Sequence, residues 1–267
     1  MQKDPDFVTA LARGLRILTC FQACDHELGN GEIAQRAGLP PATVARLTYT
    51  LTQLGYLRIV NHRRKYALSA SVLSIGYPVL AALPDRELAR GPLKALADST
   101  KGSVCLAIRE GLHAVYVEVS RGADVGQFPD IGQRRDLLGS SVGLALFVAS
   151  EAQEQEAILN QACLITPARS SILRRAADRA REDYARYGMC KTDGLAVPGW
   201  AGLAMPIEGN GGIKFALSLG LQSQLLASEQ AIRSAGLALA AAASRIQAAL
   251  KRGPRIQSAV AVEPRSL

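Results

Sequence analysis

The stretch Gly31–Leu68 constrains this 267-residue chain more than any other. In Gly31-Glu32-Ile33-Ala34-Gln35-Arg36-Ala37-Gly38-Leu39-Pro40 the apolar residues Ile33, Ala34 and Ala37 share one helical face. Gly38 can end that helix with positive φ, and Leu39 then tucks back beneath it. Pro40 and Pro41 open a second helix, where a missing N–H costs nothing. That helix, continuing from Ala42 to Leu54, is expected to bury Val44, Leu47, Leu51 and Leu54. Thr43, Arg46, Tyr49 and Thr50 are left on its outer side. Gly55 stops it, and Tyr56–Val60 and Lys65–Leu68 read as strands around the tip Asn61-His62-Arg63-Arg64. Helix, turn, helix and basic hairpin are the parts with which a small domain lays one helix in a DNA major groove.

Charge supports that reading by its distribution more than by its total. The formal net charge is +8, which favours a polyanionic partner without naming it. Between Pro41 and Leu68 stand Arg46, Arg58, Arg63, Arg64 and Lys65, with no Asp or Glu. From Gly76 onward 22 basic residues face 18 acidic ones, an ordinary balance. The positive field is therefore densest where the reading helix and its wing would lie.

The length allows two domains, each with its own core. No segment approaches ~20 uninterrupted apolar residues, so no membrane span is expected. The start Met1-Gln2-Lys3-Asp4-Pro5-Asp6 lacks an apolar signal core, which predicts a cytoplasmic chain. Five cysteines without framework spacing fit reduced thiols. Cys20 and Cys24 lie four apart on an expected helix, but no second ligand pair follows, so no metal or other cofactor is expected.

Phe7–Cys24 reads as a first helix with Leu11, Leu15, Ile17, Leu18 and Phe21 inside and Arg13 and Arg16 outside. Val72–Leu83 reads as an apolar helix interrupted at Pro78, and Asp85–Lys101 as another, ended by Gly102. Beyond it Ser103–Arg109 and His113–Ser120 alternate as strands around Glu110-Gly111, and Gly126–Ile131 is expected to add a third. Leu144–Ala149, Glu154–Leu159 and Ser171–Tyr187 read as helical. Trp200–Ile207 and Ile213–Leu221 form an antiparallel pair around a Gly-rich turn, Ser228–Lys251 is a long closing helix, and residues 253–267 read as a disordered tail.

Together these segments resemble the IclR family of bacterial transcription regulators. The resemblance is carried by the opening Leu11-Ala12-Arg13-Gly14-Leu15-Arg16-Ile17-Leu18, the turn Ala37-Gly38-Leu39-Pro40 and the helix core Thr43-Val44-x-Arg46-Leu47. The wing end Tyr66-Ala67-Leu68 and the segment Arg86-Glu87-Leu88-Ala89-Arg90 complete it. It runs from about Phe7 to Leu250, and Asp4–Leu15 looks most like the branch controlling protocatechuate and other aromatic-acid catabolism. The resemblance implies an α+β chain: a winged helix-turn-helix domain over 1–73, linker helices over 74–90 and a GAF-like α/β effector-binding domain over 91–252. It also implies a homodimer or a dimer of dimers, a double-stranded DNA operator, a small organic acid effector and RNA polymerase as a candidate further partner.

Thr43, Arg46, Tyr49 and Thr50 are then expected in the groove. Arg pairs bidentately with guanine, and Thr bonds a base or meets a thymine methyl. Arg63, Arg64 and Lys65 suit phosphate or the minor groove, giving affinity and salt dependence rather than sequence choice, and Arg13 matches a position near the DNA backbone in relatives. Pro41-Ala42 stand where the family often has Lys-Ser. For the effector, the resemblance points to Ser140, Ser141 and Val142 at a helix start, where free backbone N–H groups favour an anion. It adds Asp193, Gly202 and Ser218. Leu138 and Leu144 stand where relatives carry His and Lys, which predicts a pocket roomier and less polar than one for a two-carbon acid.

Two other readings compete. Gly139-Ser140-Ser141-Val142-Gly143 spells G-x-S-x-G, the hydrolase nucleophile pattern, but His26, His62 and His113 all precede Ser141, against the Ser, acid, His order of that fold. Cys105 could meet His113 across a hairpin, although two core-strand positions explain both. A winged-helix adaptor binding protein rather than DNA is the other alternative, opposed by the basic run Arg58–Lys65.

Overall fold

The computed structural model describes residues 5–22, 24–60, 65–123, 125, 129–193 and 197–252. It divides into two compact units, residues 1–82 and 83–267.

The first unit begins with α1 (Thr9–Leu18), the two-residue strand β1 (Leu28–Gly29), α2 (Asn30–Ala37) and α3 (Pro41–Gln53). The hairpin β2 (Leu57–Val60) and β3 (Lys65–Leu68) and the helix α4 (Leu73–Ala81) follow. The three strands pair antiparallel in the order β1-β3-β2. The turn between α2 and α3 forms as its residues dictate: Gly38 takes φ +61°, and Leu39 N donates back to Ala34 O at 3.1 Å. Asn30 Nδ2 donates to Pro41 O at 3.1 Å, tying the starts of the two helices together. Ile17, Leu28, Ile33, Val44, Leu51 and Leu57 fill the core. Thr48 is also fully buried, its hydroxyl satisfied by Val44 O at 2.9 Å.

Several expectations fail here, the first because some apolar residues of the helices are left uncovered by this unit. Leu54 closes α3 at 62% exposure, and Leu11 and Leu15 of α1 are also exposed. α1 stops at Leu18, so Cys20 and Cys24 do not share a helix; Cys20 is buried and Cys24 exposed. α4 runs through Pro78 without interruption and buries none of its residues.

The second unit is an antiparallel six-stranded sheet in the order β6-β5-β4-β9-β8-β7. α5 (Asp85–Thr100) leads into β4 (Ser103–Glu110), β5 (His113–Arg121) and β6 (Arg134–Asp136). α6 (Ser141–Val148), α7 (Ala152–Ile165) and α8 (Ser170–Tyr187) follow. β7 (Cys190–Asp193), β8 (Trp200–Glu208), β9 (Lys214–Gln222) and α9 (Glu229–Arg252) close the unit. α5 and α9 pack together on one face of the sheet; α6, backed by α8, covers the other. The third strand is Arg134–Asp136 rather than Gly126–Ile131: residues 126–128 lie outside the described residues, and 129–131 form no strand. Positive φ at the end of α5 falls on Lys101 and not on Gly102. The tail 253–267 lies outside the described residues.

One irregularity orders this sheet. Leu106 pairs with Glu118 and Ala107 with Tyr116, so Val117 is an extra, bulged residue. The bulge turns Tyr116 and Glu118 to opposite faces. Tyr116 joins the apolar cluster under α6. Glu118 meets the start of α5, where Arg86 Nη1 and Arg90 Nε reach its Oε2 at 2.8 and 3.2 Å. Asp85 at the same helix start accepts from Asn210 N and Nδ2 at 2.6 and 2.8 Å.

Candidate functional site

In the first unit the α3 surface divides as its periodicity requires. Val44, Thr48 and Leu51 face the core, while Arg46, Tyr49 and Thr50 are exposed and Thr43 is half-buried on the same outer stripe. Tyr49 is 66% exposed, an uncovered aromatic ring one turn from a guanidinium. Among the described residues no ion pair engages Arg46. Thr50 differs from its neighbours: its hydroxyl donates to Arg46 O at 3.1 Å, leaving its methyl and oxygen lone pairs to the outside.

Two other arginines of this unit are exposed as well but have partners within it. Arg36 is paired with Asp25, whose carboxyl the guanidinium holds below its ordinary range, and it donates to Cys20 O at 3.1 Å. Arg16 reaches Ala37 O at 3.4 Å. Arg13, Arg46 and Arg58 are exposed too, and among the described residues no ion pair engages them. Lys65 opens β3 and is anchored to Glu27 at 2.9 Å. Arg63 and Arg64 lie outside the described residues.

In the second unit a cavity of about 70 Å³ lies between the start of α6 and strands β4, β5, β7, β8 and β9. Five of the six expected effector residues line it: Ser140, Ser141, Val142, Gly202 and Ser218. Ser140 caps α6, its Oγ accepting from Gly143 N at 3.2 Å and donating to Asp136 O at 2.9 Å. The first turn of α6 packs so close to Leu137 that a Cβ on Gly143 would collide with that residue's backbone. Across the cavity, a Cβ on Gly202 would collide with Ser141 Oγ, so glycine keeps room for this hydroxyl.

Asp193 is the exception. Thr192 pairs with Gly202 and points into the cavity, so the strand period of two turns Asp193 away, where it accepts from Ser223 Oγ at 2.9 Å.

The lining also contains groups that the sequence did not announce: Ser103, Cys105, Tyr116, Arg135 and Trp200. Burial pushes the Cys105 thiol up to about 12, opposed by hydrogen bonds from Ser103 and Ser218. Burial also raises the Tyr116 hydroxyl, while Arg135, hydrogen-bonded to it, pulls the other way. Leu138 and Leu144 do not line this cavity; both side chains are buried in the apolar core.

Among the described residues no histidine lines the cavity. His113 starts β5 opposite Asp136, with Nδ1 3.1 Å from Arg134 Nη2; burial and that guanidinium lower its pKa. Cys105 pairs with Val119 and not with His113, so no Cys–His couple exists there. Ser141 has hydroxyls around it and no base. The described residues also hold no cluster of metal-ligating side chains, and none of their helices is long and apolar enough to cross a membrane.

Residues 10–59 match the IclR helix-turn-helix domain, and residues 78–248 match the bacterial transcriptional regulator IclR C-terminal domain. The chain is 34% identical over 184 residues to the HTH-type transcriptional regulator TsaQ1/TsaQ2 of Comamonas testosteroni, covering 68% of this chain and 66% of that protein. It is 31% identical to the Pca regulon regulatory protein of Pseudomonas putida, covering 60% of this chain and 55% of the relative. The crystal structure of an IclR family transcriptional regulator from Brucella abortus superposes with a TM-score of 0.73 at 35% identity, covering 93% of this chain and 95% of the other. An IclR homolog from Microbacterium hydrocarbonoxydans, solved in complex with 4-hydroxybenzoate, shares the fold with a TM-score of 0.69 at 22% identity over 92% of this chain and all of the other. With both domains matched in order and most of its length covered, the chain belongs to the IclR family of bacterial transcriptional regulators.

Proposed function

We propose that this protein is a sequence-specific DNA-binding regulator whose operator affinity is set by a small organic acid. The observation that carries the reading is the outer stripe of α3. Arg46 and Tyr49 stand exposed on a helix whose other side is locked into a winged core, and among the described residues no ion pair engages Arg46, whereas Arg36 of the same unit is paired with Asp25. A bidentate Arg–guanine pair contributes about 1–3 kcal/mol of discrimination. Arg13, Lys65, Arg63 and Arg64 would add phosphate contacts and salt dependence.

A helix of this length reads only a few base pairs, so a homodimer or dimer of dimers on a palindromic operator completes the reading. The uncovered apolar residues Leu73, Ile75, Tyr77 and Val79 of α4 support self-association. RNA polymerase is a candidate further contact, and the cytoplasm the compartment in which such a regulator works. Residues 1–73 would form the DNA-binding part, 74–90 the connection and 91–252 the effector part.

The effector would occupy the cavity at the start of α6. An aromatic acid is favoured by the relation to the Pca regulon regulatory protein, and the fold itself accommodates 4-hydroxybenzoate in another member. Cavities that hold benzene measure ~150 Å³, so a ring would have to displace lining side chains, Trp200 among them. A bound acid shifts DNA affinity only by its differential affinity for two arrangements of the protein.

The test is a gel-shift titration on DNA upstream of the protein's own gene, with excess non-specific duplex at physiological salt, with and without aromatic acids. A competitor-resistant shift whose midpoint moves with one acid is expected. Binding no tighter than to competitor would overturn specific recognition at that site and favour a protein partner for the winged unit. Ser141→Leu, which places bulk against Gly202, is expected to abolish the acid's effect while operator binding stays unchanged; an unaltered dose-response would remove the effector from this cavity.

A further inference from the structure

Arg134-Arg135-Asp136 is a charged triplet in the sequence, yet its register delivers one guanidinium to the interior. β6 pairs antiparallel with the start of β5, Arg134 opposite Val115 and Arg135 opposite Ala114. Cross-strand partners share a face, and Ala114 is fully buried beside Cys105, Ala107 and Tyr116 under α6. Arg134 therefore turns outward to His113. Arg135 lies over the small Ala114 side chain and enters the cavity, where it hydrogen-bonds the Tyr116 hydroxyl.

The wall carrying Arg135 is rigidly attached to β5. Tyr116 N donates to Gln133 O at 3.0 Å, and Gly132 N donates to Tyr116 O at 2.8 Å. Arg121 holds the adjoining Pro129–Asp130 segment, and Asp130 N donates to Gln133 Oε1 at 3.2 Å. Among the described lining residues Arg135 is the only charged one; the others are hydroxyls, a thiol, small residues and apolar groups.

We infer that Arg135, together with the Tyr116 hydroxyl, is the group that reads the effector's negative charge, so that the cavity selects a monoanionic acid over a neutral molecule of the same shape. This rests on the cavity being the effector site. The chemistry follows from the setting. A guanidinium presents planar paired donors that match a carboxylate, and in a half-buried site they are worth more than in water. A phenol that stays protonated can donate to the same oxygen. A neutral amide of identical outline would meet the guanidinium without an anionic partner and forfeit that gain. Selection by charge would thus sit at the β5–β6 edge, while shape is set by Trp200, Val142 and Gly202 on the other walls.

The experiment measures binding to the full-length protein by Trp200 fluorescence and by calorimetry. The probes are benzoate, 4-hydroxybenzoate and pyruvate, each paired with its uncharged amide. Wild-type protein should bind at least one acid and prefer it over its amide. Arg135→Met should weaken that acid about 10- to 100-fold and bring the acid-to-amide ratio near one; Arg135→Lys should restore part of the preference. A structural role would instead weaken acid and amide alike, and an unchanged ratio in Arg135→Met overturns the inference. Tyr116→Phe, which keeps the ring in place, should reduce the ratio by a smaller factor. If acids bind and Ser141→Leu abolishes them while Arg135→Met keeps the ratio, only the role of Arg135 fails. If the wild type binds none of the probes, or Ser141→Leu leaves binding intact, the effector cavity itself fails and this inference with it.

Discussion

The two units place their candidate chemistry in opposite ways. The amino-terminal unit displays Thr43, Arg46 and Tyr49 outward along one helix, and its small core lies behind them. The carboxy-terminal unit turns Arg135, Tyr116, Ser141, Thr192 and Ser218 inward from five different elements into one cavity. A surface helix organises contacts within a few residues of sequence, because i, i+3 and i+4 share a face. A cavity organises contacts that are distant in sequence, because sheet order brings β5, β9 and β7 around α6. Under the proposed function, the first unit would meet a large polyanion that stays outside and the second a small ligand that is enclosed.

The largest expected effect is on the second unit's dependence on buried polar contacts. Arg86 and Glu118 are each under a tenth exposed in their side chains. Glu118→Leu leaves the guanidinium buried without that carboxylate, which should cost about 3–5 kcal/mol. Urea unfolding followed by Trp200, the chain's single tryptophan, reports on this unit directly. A loss below about 1 kcal/mol would mean that α5 is held by its apolar packing alone. The next effect is on the exposed side. Arg46→Ala should lower operator discrimination by about 1–3 kcal/mol while acid binding, read from Trp200, is unchanged. Equal loss of both activities would break the division of labour between the units.

A pH-dependent effect comes from the thiols. Burial pushes Cys105 and Cys190 up to about 12 in the folded protein, whereas an unfolded thiol ionises near ~8.5. The neutral thiols' contribution is fully present below the unfolded value and is lost as pH rises toward the folded one. The unfolding free energy read from urea titrations should therefore fall between pH 9 and 11, by about 1 kcal/mol per pH unit for each thiol. Iodoacetamide at pH 8 should label exposed Cys24 and spare Cys105 and Cys190, as peptide mapping can read. Labelling of Cys105 in the folded state would show that the cavity opens to solvent far more than its burial implies.

Where a property depended on local periodicity, the sequence revealed it. The α2–Gly38–α3 turn, the outer stripe Thr43/Arg46/Tyr49 and the β4–β5 and β8–β9 hairpins all formed as read. Leu11, Leu15 and Leu54 were misread because an apolar stripe says that something should cover it, not that this unit will. Asp193 was misread by one residue, since a strand hides which of two neighbours faces inward until its partner is known. The same ambiguity concealed Arg135 between Arg134 and Asp136. A strand reading of that charged triplet, with the apolar run of β5 as its partner, is the signal that could have found it.

The α2–α3 turn and the facing of α3 were thus determined by the sequence itself, through positive φ at Gly38 and the 3.6-residue period. The identity of the family was legible for the same reason. Only the tertiary structure decided which polar groups meet in the cavity. The Val117 bulge sends Tyr116 to one face of the sheet and Glu118 to the other, and a three-residue edge strand carries Arg135 inward. Bulges and registers are properties of paired strands, so a single strand's sequence does not contain them.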